Sequence, residues 1–414
     1  RRNTLLLAAS QAFVGGGNQM VPTLGAIIVV KLLGSATFAG VGTSILGISR
    51  ALAAYPIGKL TDTYGRRAGL IVGLIVSMVG AVVTGLSVVF SSFLLFLMGV
   101  LIFGLGVGAA QQLRVAAAEM YPPSLRGLGL GLVLTGSLVG ALGGPLLIQA
   151  ARAASGSLAL DATALAWMFV PAAIIPALML VLLIRPDPLT IARDLRAFYP
   201  GYSPASEPLD RGRGSGIGFM SFLGHYPKLT AFASMFAVQG TMMMMMALTA
   251  LALSSHGHDL TSISLAVTMH VVGMFGFSLP LGRLADRVGR RRVMMSGLVL
   301  CGAGAMLVPV TPSYWVVALG IFLVGVGWSC VNVASSALIV DTTSTEERGR
   351  AIGAMDTFSA SSGTVLPLAG GAMAEFLGLP YVGVLGMVLM VIPFVLLLRL
   401  REYSPGQYGL TENK

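Results

Sequence analysis

The chain has 414 residues, of which 55% are hydrophobic and only 10% are charged, and its mean hydropathy is +0.86. A soluble globular protein carries about a quarter of charged residues, so this composition largely excludes a soluble enzyme and a nucleic-acid-binding protein. Long apolar blocks alternate with short charged breaks, which is typical of an all-α polytopic membrane protein. The net charge of +10 would otherwise suggest a polyanionic partner.

Twelve apolar segments can each form a membrane-spanning helix, since about 20 apolar residues cross the hydrocarbon core. We predict spans at residues 4–31, 35–57, 68–89, 93–116, 128–151, 162–184, 229–253, 260–281, 293–309, 314–338, 351–376 and 379–399. Two charge-free stretches, 68–113 and 293–340, are too long for one span, and we expect each to form a helical hairpin. No small-residue cleavage site follows the first apolar segment, which we therefore interpret as a spanning helix and not a signal peptide.

The basic residues indicate an orientation in the membrane. With the N terminus inside, 22 of the 26 Lys and Arg residues lie on the cytoplasmic side. Lys31 and Arg152 lie outside, while Arg50 and Arg114 lie within spans. The positive charge therefore reports topology, with the anionic headgroups of the lipid bilayer as its partner and no nucleic acid. We predict a multi-pass protein of the plasma membrane, in a bacterial inner membrane, with both termini cytoplasmic.

The two halves of the sequence repeat. The segment 58–67, G-K-L-T-D-T-Y-G-R-R, recurs as G-R-L-A-D-R-V-G-R-R at 282–291, with an offset of 224. Three further landmarks recur with an offset of 222: Arg126-Gly127 as Arg348-Gly349, Glu119 as Asp341, and Pro145 as Pro367. This parallel duplication predicts two six-helix bundles. Their predicted limits are 1–184 and 228–400, with a cytoplasmic linker at 185–227 and a cytoplasmic tail at 401–414. The amphipathic linker segment 189–199 either lies on the inner leaflet or serves as a tether.

The pattern G-x-L-x-D-x-x-G-R-R between spans 2 and 3, repeated between spans 8 and 9, resembles motif A of the major facilitator superfamily. The resemblance covers essentially the whole chain. It implies 12 transmembrane helices in two bundles related by pseudo-twofold symmetry, around a central cavity that opens alternately to each side. It also implies that spans 1, 4, 7 and 10 line that cavity. The predicted cavity residues on these spans are Gln11, Asn18, Gln19, Gln111, Gln112, Arg114, Gln239, Thr241, Trp328 and Asn332.

The repeated loop motif predicts a cytoplasmic gate. Its glycines permit a tight turn, and its carboxylate can face the positive end of a neighbouring helix, by family analogy span 11 of the other half. Its arginines can reach an acidic residue at the inner end of span 4 or span 10. The predicted gate residues are Asp62, Arg66, Arg67, Glu119, Asp286, Arg290, Arg291 and Asp341. The alternative is that these arginines only orient the chain.

Span 5 carries Gly131, Gly140, Gly144 and Pro145, a pattern that resembles motif C of proton-coupled antiporters. Glycines on one face let another helix approach closely, and a proline bends the helix. Generic helix packing is the alternative. The match is incomplete, because Ile-Gln stands at 148–149 where the motif usually ends in Gly-Gly. Span 4 also lacks the early arginine expected of drug antiporters, so the usual account of proton coupling does not carry over whole.

Ionisable residues inside spans are costly and therefore candidates for function. Arg50 and Asp356 have similar predicted depths from the cytoplasmic side. By family analogy spans 2 and 11 pack together, so the two residues could form a pair that breaks when Asp356 takes up a proton, or a permanent structural pair. His270 is either a second titratable candidate or a histidine that is hydrogen-bonded to a neighbouring helix.

These observations predict a secondary active transporter that works by alternating access and exports a small amphipathic organic compound in exchange for protons or another ion. Five consecutive methionines at 242–246 would suit varied apolar ligands where they face the cavity. One alternative is proton-coupled uptake of a small organic anion, with Arg50 and Arg114 as its ligands. An alternative of another class is a membrane sensor or scaffold without transport. We expect no enzymatic activity, no cofactor and no bound metal, and we expect a monomer.

Overall fold

The structure is a computed structural model that describes residues 2–110, 112–121, 126–199, 224–343 and 348–401. The described residues form helices and turns, and they include no strand. The helices of the first half are α1 (Arg2–Asn18), α2 (Met20–Leu33), α3 (Val41–Tyr64), α4 (Arg66–Val89), α5 (Phe93–Ala110), α6 (Gln112–Glu119), α7 (Arg126–Ala141), α8 (Gly143–Leu158), α9 (Ala162–Leu182), α10 (Pro188–Arg193) and α11 (Leu195–Phe198). Those of the second half are α12 (Tyr226–Ser255), α13 (Leu260–Gly276), α14 (Ser278–Val288), α15 (Arg290–Val310), α16 (Tyr314–Asp341), α17 (Arg348–Phe376) and α18 (Leu379–Arg399).

Every predicted span corresponds to a helix or to a pair of consecutive helices. Within the described ranges, eight helices or joined helices are long and apolar enough to cross a membrane, and the α13–α14 pair, bent by 43°, makes a ninth. The three other predicted spans correspond to α3, to the α7–α8 pair and to α17. The predicted all-α, polytopic fold is therefore confirmed.

Contacts between Cα atoms divide the chain into two compact units. Unit 1 comprises the described residues 2–21 and 45–199, and unit 2 comprises 22–44 and 224–401. Span 1 is shared, since α1 belongs to unit 1 and most of α2 to unit 2. The two helices are separated by a turn at Gln19. Pro22 lies in the first turn of α2, where its missing amide hydrogen removes no helical hydrogen bond.

Small residues let the helices of unit 1 pack closely. A Cβ at Gly80 of α4 would lie 2.2 Å from the backbone nitrogen of Phe103 in α5. The ring of Phe103 is buried and meets the buried ring of Trp167 edge-on, with the ring centroids 5.1 Å apart. Glycine on one helix and large aromatic rings on its neighbours thus fill the core of unit 1.

The methionine run of α12 lies mostly in the core of unit 2. Met242, Met244, Met245 and Met246 are buried, whereas Met243 is partly exposed. A Cβ at Gly370 of α17 would lie 2.5 Å from Cγ of Met244, so this thioether fills the space that the glycine leaves. The run therefore serves mainly helix packing, and Met243 is the one of the five that is partly exposed.

Candidate functional site

In unit 1 the repeated loop motif forms a hydrogen-bonded junction around Arg66. Its Nε and Nη2 donate to the two carboxylate oxygens of Glu119, both at 2.8 Å, and its Nη1 donates to Oγ1 of Thr61 at 2.7 Å. The arginine side chain is 12% exposed and the glutamate side chain 29% exposed. Both groups are thus partly shielded from water, and the bidentate geometry strengthens the pair. Arg67 instead donates to the carbonyl oxygen of Leu182 at 2.7 Å.

Asp187, a residue that we did not predict, binds the start of α4. Its carboxylate accepts hydrogen bonds from the backbone amides of Arg66 at 3.1 Å, Arg67 at 3.0 Å and Leu189 at 2.8 Å. Gly65 has a φ of +97°, and a Cβ at this position would lie 2.6 Å from Oδ2 of Asp187. A carboxylate at the N-terminus of a long helix is favourable because the amide dipoles point towards it. The motif glycine therefore makes the turn and also leaves room for this carboxylate.

The corresponding junction in unit 2 is built around Arg290. Its Nε donates to Oδ2 of Asp341 at 3.2 Å and its Nη1 to Oδ1 of Asp286 at 2.5 Å. Asp286 is 63% exposed, whereas the arginine side chain is 6% exposed. Arg291 donates to the carbonyl oxygen of Leu398 at 3.2 Å. Each unit thus brings one motif arginine together with the acidic residue predicted for it, whereas Arg67 and Arg291 bond backbone carbonyls instead. The side chain of Asp62 lies outside the described part of the chain.

Two predicted cavity residues of unit 2 meet directly. The indole Nε1 of Trp328 on α16 donates to the carboxamide oxygen of Gln239 on α12 at 2.8 Å. Trp328 also meets Phe275 of α13 nearly edge-on, with the ring centroids 6.2 Å apart. Gln239 and Trp328 are both partly exposed. An aromatic ring and an amide are therefore available together to a ligand on this face.

The exposed face of α12 extends this pair into a larger surface. Phe236, Gln239 and Met243 are spaced three and four residues apart, so they share one face of the helix, and all three are partly exposed. Phe236 packs against Phe358 of α17, with the ring centroids 4.9 Å apart. We call the set of Phe236, Gln239, Met243, Phe275 and Trp328 the amide-aromatic cluster. Phe236 and Phe275 were not predicted, and Met243 was predicted only as one of five methionines of which some could face the cavity.

The two remaining predicted cavity residues of unit 2 differ in position. Asn332 follows Trp328 by four residues, which puts both on one face of α16, and it is partly exposed. Thr241 is fully buried, and a Cβ at Gly386 of α18 would lie 3.1 Å from its Cγ2. Its side chain therefore packs between helices, away from the amide-aromatic cluster.

The predicted cavity residues of unit 1 lie on α1 and at its end. Gln11 is buried and donates from Nε2 to Oγ of Ser137 on α7 at 3.0 Å, so it joins two helices. Asn18 ends α1, and its Oδ1 is buried without a hydrogen-bond partner among the described residues. Gln19 is buried in the turn between α1 and α2. Gln111 lies outside the described part of the chain, and so do the side chains of Gln112 and Arg114.

The glycine pattern of span 5 packs against α1. A Cβ at Gly140 would lie 2.5 Å from the carbonyl oxygen of Ala12 and 2.8 Å from Cα of Gly15, so the two backbones are in direct contact. The helix is interrupted at Leu142, three residues before Pro145, which offers no amide hydrogen to the preceding turn. Gly144 and Pro145 of α8 are also buried. The burial of Gly131 lies outside what the structure describes.

The ionisable residues within spans have different environments. Arg50 of α3 is partly buried, and its Cα would lie 3.2 Å from a Cβ placed on Gly108. Asp356 is exposed on α17 in unit 2. His270 of α13 is fully buried, and its Nδ1 donates to the carbonyl oxygen of Ile321 on α16 at 2.8 Å. This is the hydrogen-bonded position that the sequence left as one of two alternatives. No cluster of three or more potential metal ligands occurs among the described residues.

Comparison with known proteins gives consistent matches over the whole chain. The family model "Major Facilitator Superfamily" matches residues 7–224 and 230–412. The uncharacterized MFS-type transporter YdeG of Bacillus subtilis (strain 168) is 29% identical over 95% of this chain and 91% of its own length. The riboflavin transporter RfnT of Brucella anthropi is 25% identical over 96% of each chain. A solved bacterial homologue of the human lysosomal transporter Spinster, inward-facing and occupied, has a TM-score of 0.70 at 17% identity over 97% of each chain, a likeness of fold.

Proposed function

The chain belongs to the Major Facilitator Superfamily, and from this premise we propose that it is a secondary active transporter that exports a small amphipathic organic compound in exchange for protons. The two halves would alternate in giving access to each side of the membrane. The duplicated loop junctions around Arg66 and Arg290 support this proposal, because each ties together helix ends within one unit so that the unit can move as a body. The excess of basic residues in the predicted inner loops supports cytoplasmic termini, and the bacterial relatives support a bacterial inner membrane.

The amide-aromatic cluster supports a substrate class, namely a compound with a flat aromatic ring and hydrogen-bonding groups. The partly exposed rings of Trp328 and Phe236 offer surfaces for stacking. The carboxamide oxygen of Gln239 accepts a hydrogen bond from Trp328, which fixes the orientation of the amide. The amide nitrogen can then donate to a substrate. The similarity to a riboflavin transporter fits the same chemistry, since riboflavin joins a flat heterocycle to a polar chain.

Transport into proteoliposomes with an imposed pH gradient tests the substrate class, with fluorescent riboflavin as the first probe. We expect Gln239→Ala and Trp328→Phe to raise the half-saturating concentration about tenfold, because each removes the hydrogen bond that fixes the cluster. Trp315→Phe is the matched control, since Trp315 lies on the same helix and is 73% exposed. If Trp315→Phe and Trp328→Phe raise the half-saturating concentration equally, the assignment of the cluster is wrong.

Coupling to protons is assigned in this proposal to Asp356. We expect Asp356→Asn to abolish flux driven by the pH gradient and to retain exchange of labelled for unlabelled substrate, because the amide keeps the size of the side chain but cannot titrate. Arg50→Ala should change the pH at which flux is maximal. Full pH-driven flux in Asp356→Asn would end this assignment and make His270 the next candidate. Two results would overturn the proposed export: substrate uptake together with a proton, and substrate uptake without any movement of protons.

A further inference from the structure

A cavity of about 510 Å³ opens within unit 1, apart from the residues assigned to transport. Its walls come from the start of α1, the two residues that follow α6, and the chain from the end of α9 through α11. The ends of spans 1, 4 and 6 therefore surround it, which puts it at one face of the membrane. Its volume lies within the range of small-molecule binding sites.

Hydrogen bonds between distant parts of the chain hold the walls together. Oγ1 of Thr4 and the hydroxyl of Tyr121 lie 2.9 Å apart, and Nδ2 of Asn3 donates to the carbonyl oxygen of Pro186 at 3.0 Å. Thr4 is 1% exposed and Asn3 is 7% exposed. These contacts fix the start of α1 against the residues that follow α6 and against the linker, so the cavity is preformed and needs no folding of its walls when a ligand binds.

The lining is positively charged. Two exposed guanidinium groups, those of Arg2 and Arg185, stand on it, and the described lining contains no carboxylate. Three carboxylates that lie near the lining residues along the chain have other partners: Glu119 accepts from Arg66, Asp187 from three backbone amides and Asp194 from the amide of Ala197. An anion that enters this cavity therefore meets two arginines and no carboxylate of the described lining.

The rim of the cavity is apolar. Phe198, which lines it, is 45% exposed, and Leu183, whose carbonyl oxygen lies 3.5 Å from Nη2 of Arg2, is 54% exposed. Exposed aromatic and aliphatic side chains beside paired arginines, at the end of membrane spans, match an amphiphile with an anionic head and apolar chains.

We propose that this cavity binds the phosphate of an anionic lipid headgroup, with Arg2 and Arg185 as the phosphate ligands. Arginine suits this role because its planar group offers paired donors to phosphate oxygens. The bound lipid would hold α10 and α11, and with them the linker, against the membrane surface. A soluble phosphate ester has the same charged group but lacks the apolar chains, so the two sources can be separated by experiment.

Native mass spectrometry of the delipidated full chain in detergent tests the proposal, with dioleoylphosphatidylglycerol, dioleoylphosphatidylcholine and glycerol 3-phosphate as probes. We expect one phosphatidylglycerol to bind at least tenfold more tightly than phosphatidylcholine. The double variant Arg2→Ala, Arg185→Ala should lose this preference, and Arg2→Lys, Arg185→Lys should recover part of it because the charge returns without the paired donors.

The matched control is Arg283→Ala, Arg287→Ala, which removes the same charge from exposed arginines of α14 in unit 2. This control should bind phosphatidylglycerol as tightly as the unchanged chain. Equal losses in both double variants, or no loss in the cavity variant, would overturn the proposed site. Displacement of the lipid by millimolar glycerol 3-phosphate would overturn the lipid as its ligand and assign the cavity to soluble phosphate esters. All four arginines are exposed, so their substitution should leave the melting temperature unchanged. Measuring the melting temperature of each variant therefore checks that it is folded.

Discussion

The two copies of the loop motif use the same arginine in different networks. In unit 1, Arg66 binds both carboxylate oxygens of Glu119 at 2.8 Å. In unit 2, Arg290 reaches a single oxygen of Asp341, at 3.2 Å, and bonds a second carboxylate within its own motif. Duplication has thus preserved the position of the arginine and the sign of its partner, but not the pattern of hydrogen bonds.

Two side-chain differences account for these networks. Glutamate is longer than aspartate by one methylene group, so Glu119 can meet the guanidinium side-on whereas Asp341 meets one nitrogen. Thr61, which accepts from Nη1 of Arg66, corresponds to Ala285 in the second copy, which has no hydroxyl to accept from Nη1 of Arg290. We infer that the first junction is the more tightly bonded and the second the more readily rearranged.

Among the substitutions that test the difference between the two junctions, Glu119→Ala should cost the most stability. Removing Glu119 leaves the mostly buried guanidinium of Arg66 without its bidentate partner, and we expect a loss of about 3 kcal/mol in the free energy of unfolding. Asp341→Ala should cost about 1 kcal/mol, because Asp341 accepts one hydrogen bond at 3.2 Å where Glu119 accepts two at 2.8 Å. Melting in detergent measures both. Glu119→Asp should give an intermediate value, and equal losses for Glu119→Ala and Asp341→Ala would contradict the difference between the junctions.

Asp187→Ala is expected to cost about 1 to 2 kcal/mol, because three backbone amides lose their acceptor and α4 loses a carboxylate at its positive end. Asp194→Ala is the control, since Asp194 accepts from one amide of the four-residue α11. Its melting temperature should stay nearly unchanged. If the two variants melt alike, the bonds of Asp187 to α4 contribute nothing to stability.

A smaller effect is expected at Thr61. Thr61→Ala removes one hydrogen bond from Arg66 and makes the first motif resemble the second, at a cost of about 1 kcal/mol. Thr61→Ser keeps the hydroxyl and should restore most of the melting temperature. Equal melting of the two variants would show that the methyl group of Thr61, which packs where a Cβ on Gly69 would lie, matters more than its hydroxyl.

The smallest effect on stability is expected for Asp286→Asn, about 0.5 kcal/mol, because Asp286 is 63% exposed. If the motif acts as a cytoplasmic gate, this variant and Asp62→Asn should nevertheless shift the resting population towards the inward-open state. Labelling of cysteines introduced on the cytoplasmic side measures that shift. Unchanged labelling in both variants would remove the gate role.

The fold could be predicted well because a bilayer leaves few choices to an apolar segment. Charge-free stretches placed each of the twelve predicted spans on a helix or on a pair of consecutive helices. The turn at Gln19 was not predicted, although a run of three glycines precedes it and Pro22 follows. Glycine and proline make a break in a helix possible, but they also occur inside unbroken helices, so the sequence alone did not place the turn.

The candidate site could be predicted only in part. The offset of 222 predicted that Glu119 and Asp341 would play matching roles, and each meets the motif arginine of its own unit. Asp187 was missed because its contact with α4 depends on how the end of span 6 returns to the motif. In the structure Asp187 also caps α10, a local role that its Asp-Pro sequence favours but that carries no information about α4.

The burial pattern of the methionine run has a chemical consequence. Peroxide oxidises exposed thioethers faster than buried ones, so Met243 should be converted to its sulfoxide before its four buried neighbours. The new S=O group would lie one helical turn from Gln239 and add a polar acceptor to an otherwise soft surface. Within this run, oxidation would therefore alter the amide-aromatic cluster before it reaches the methionines that pack in the core of unit 2.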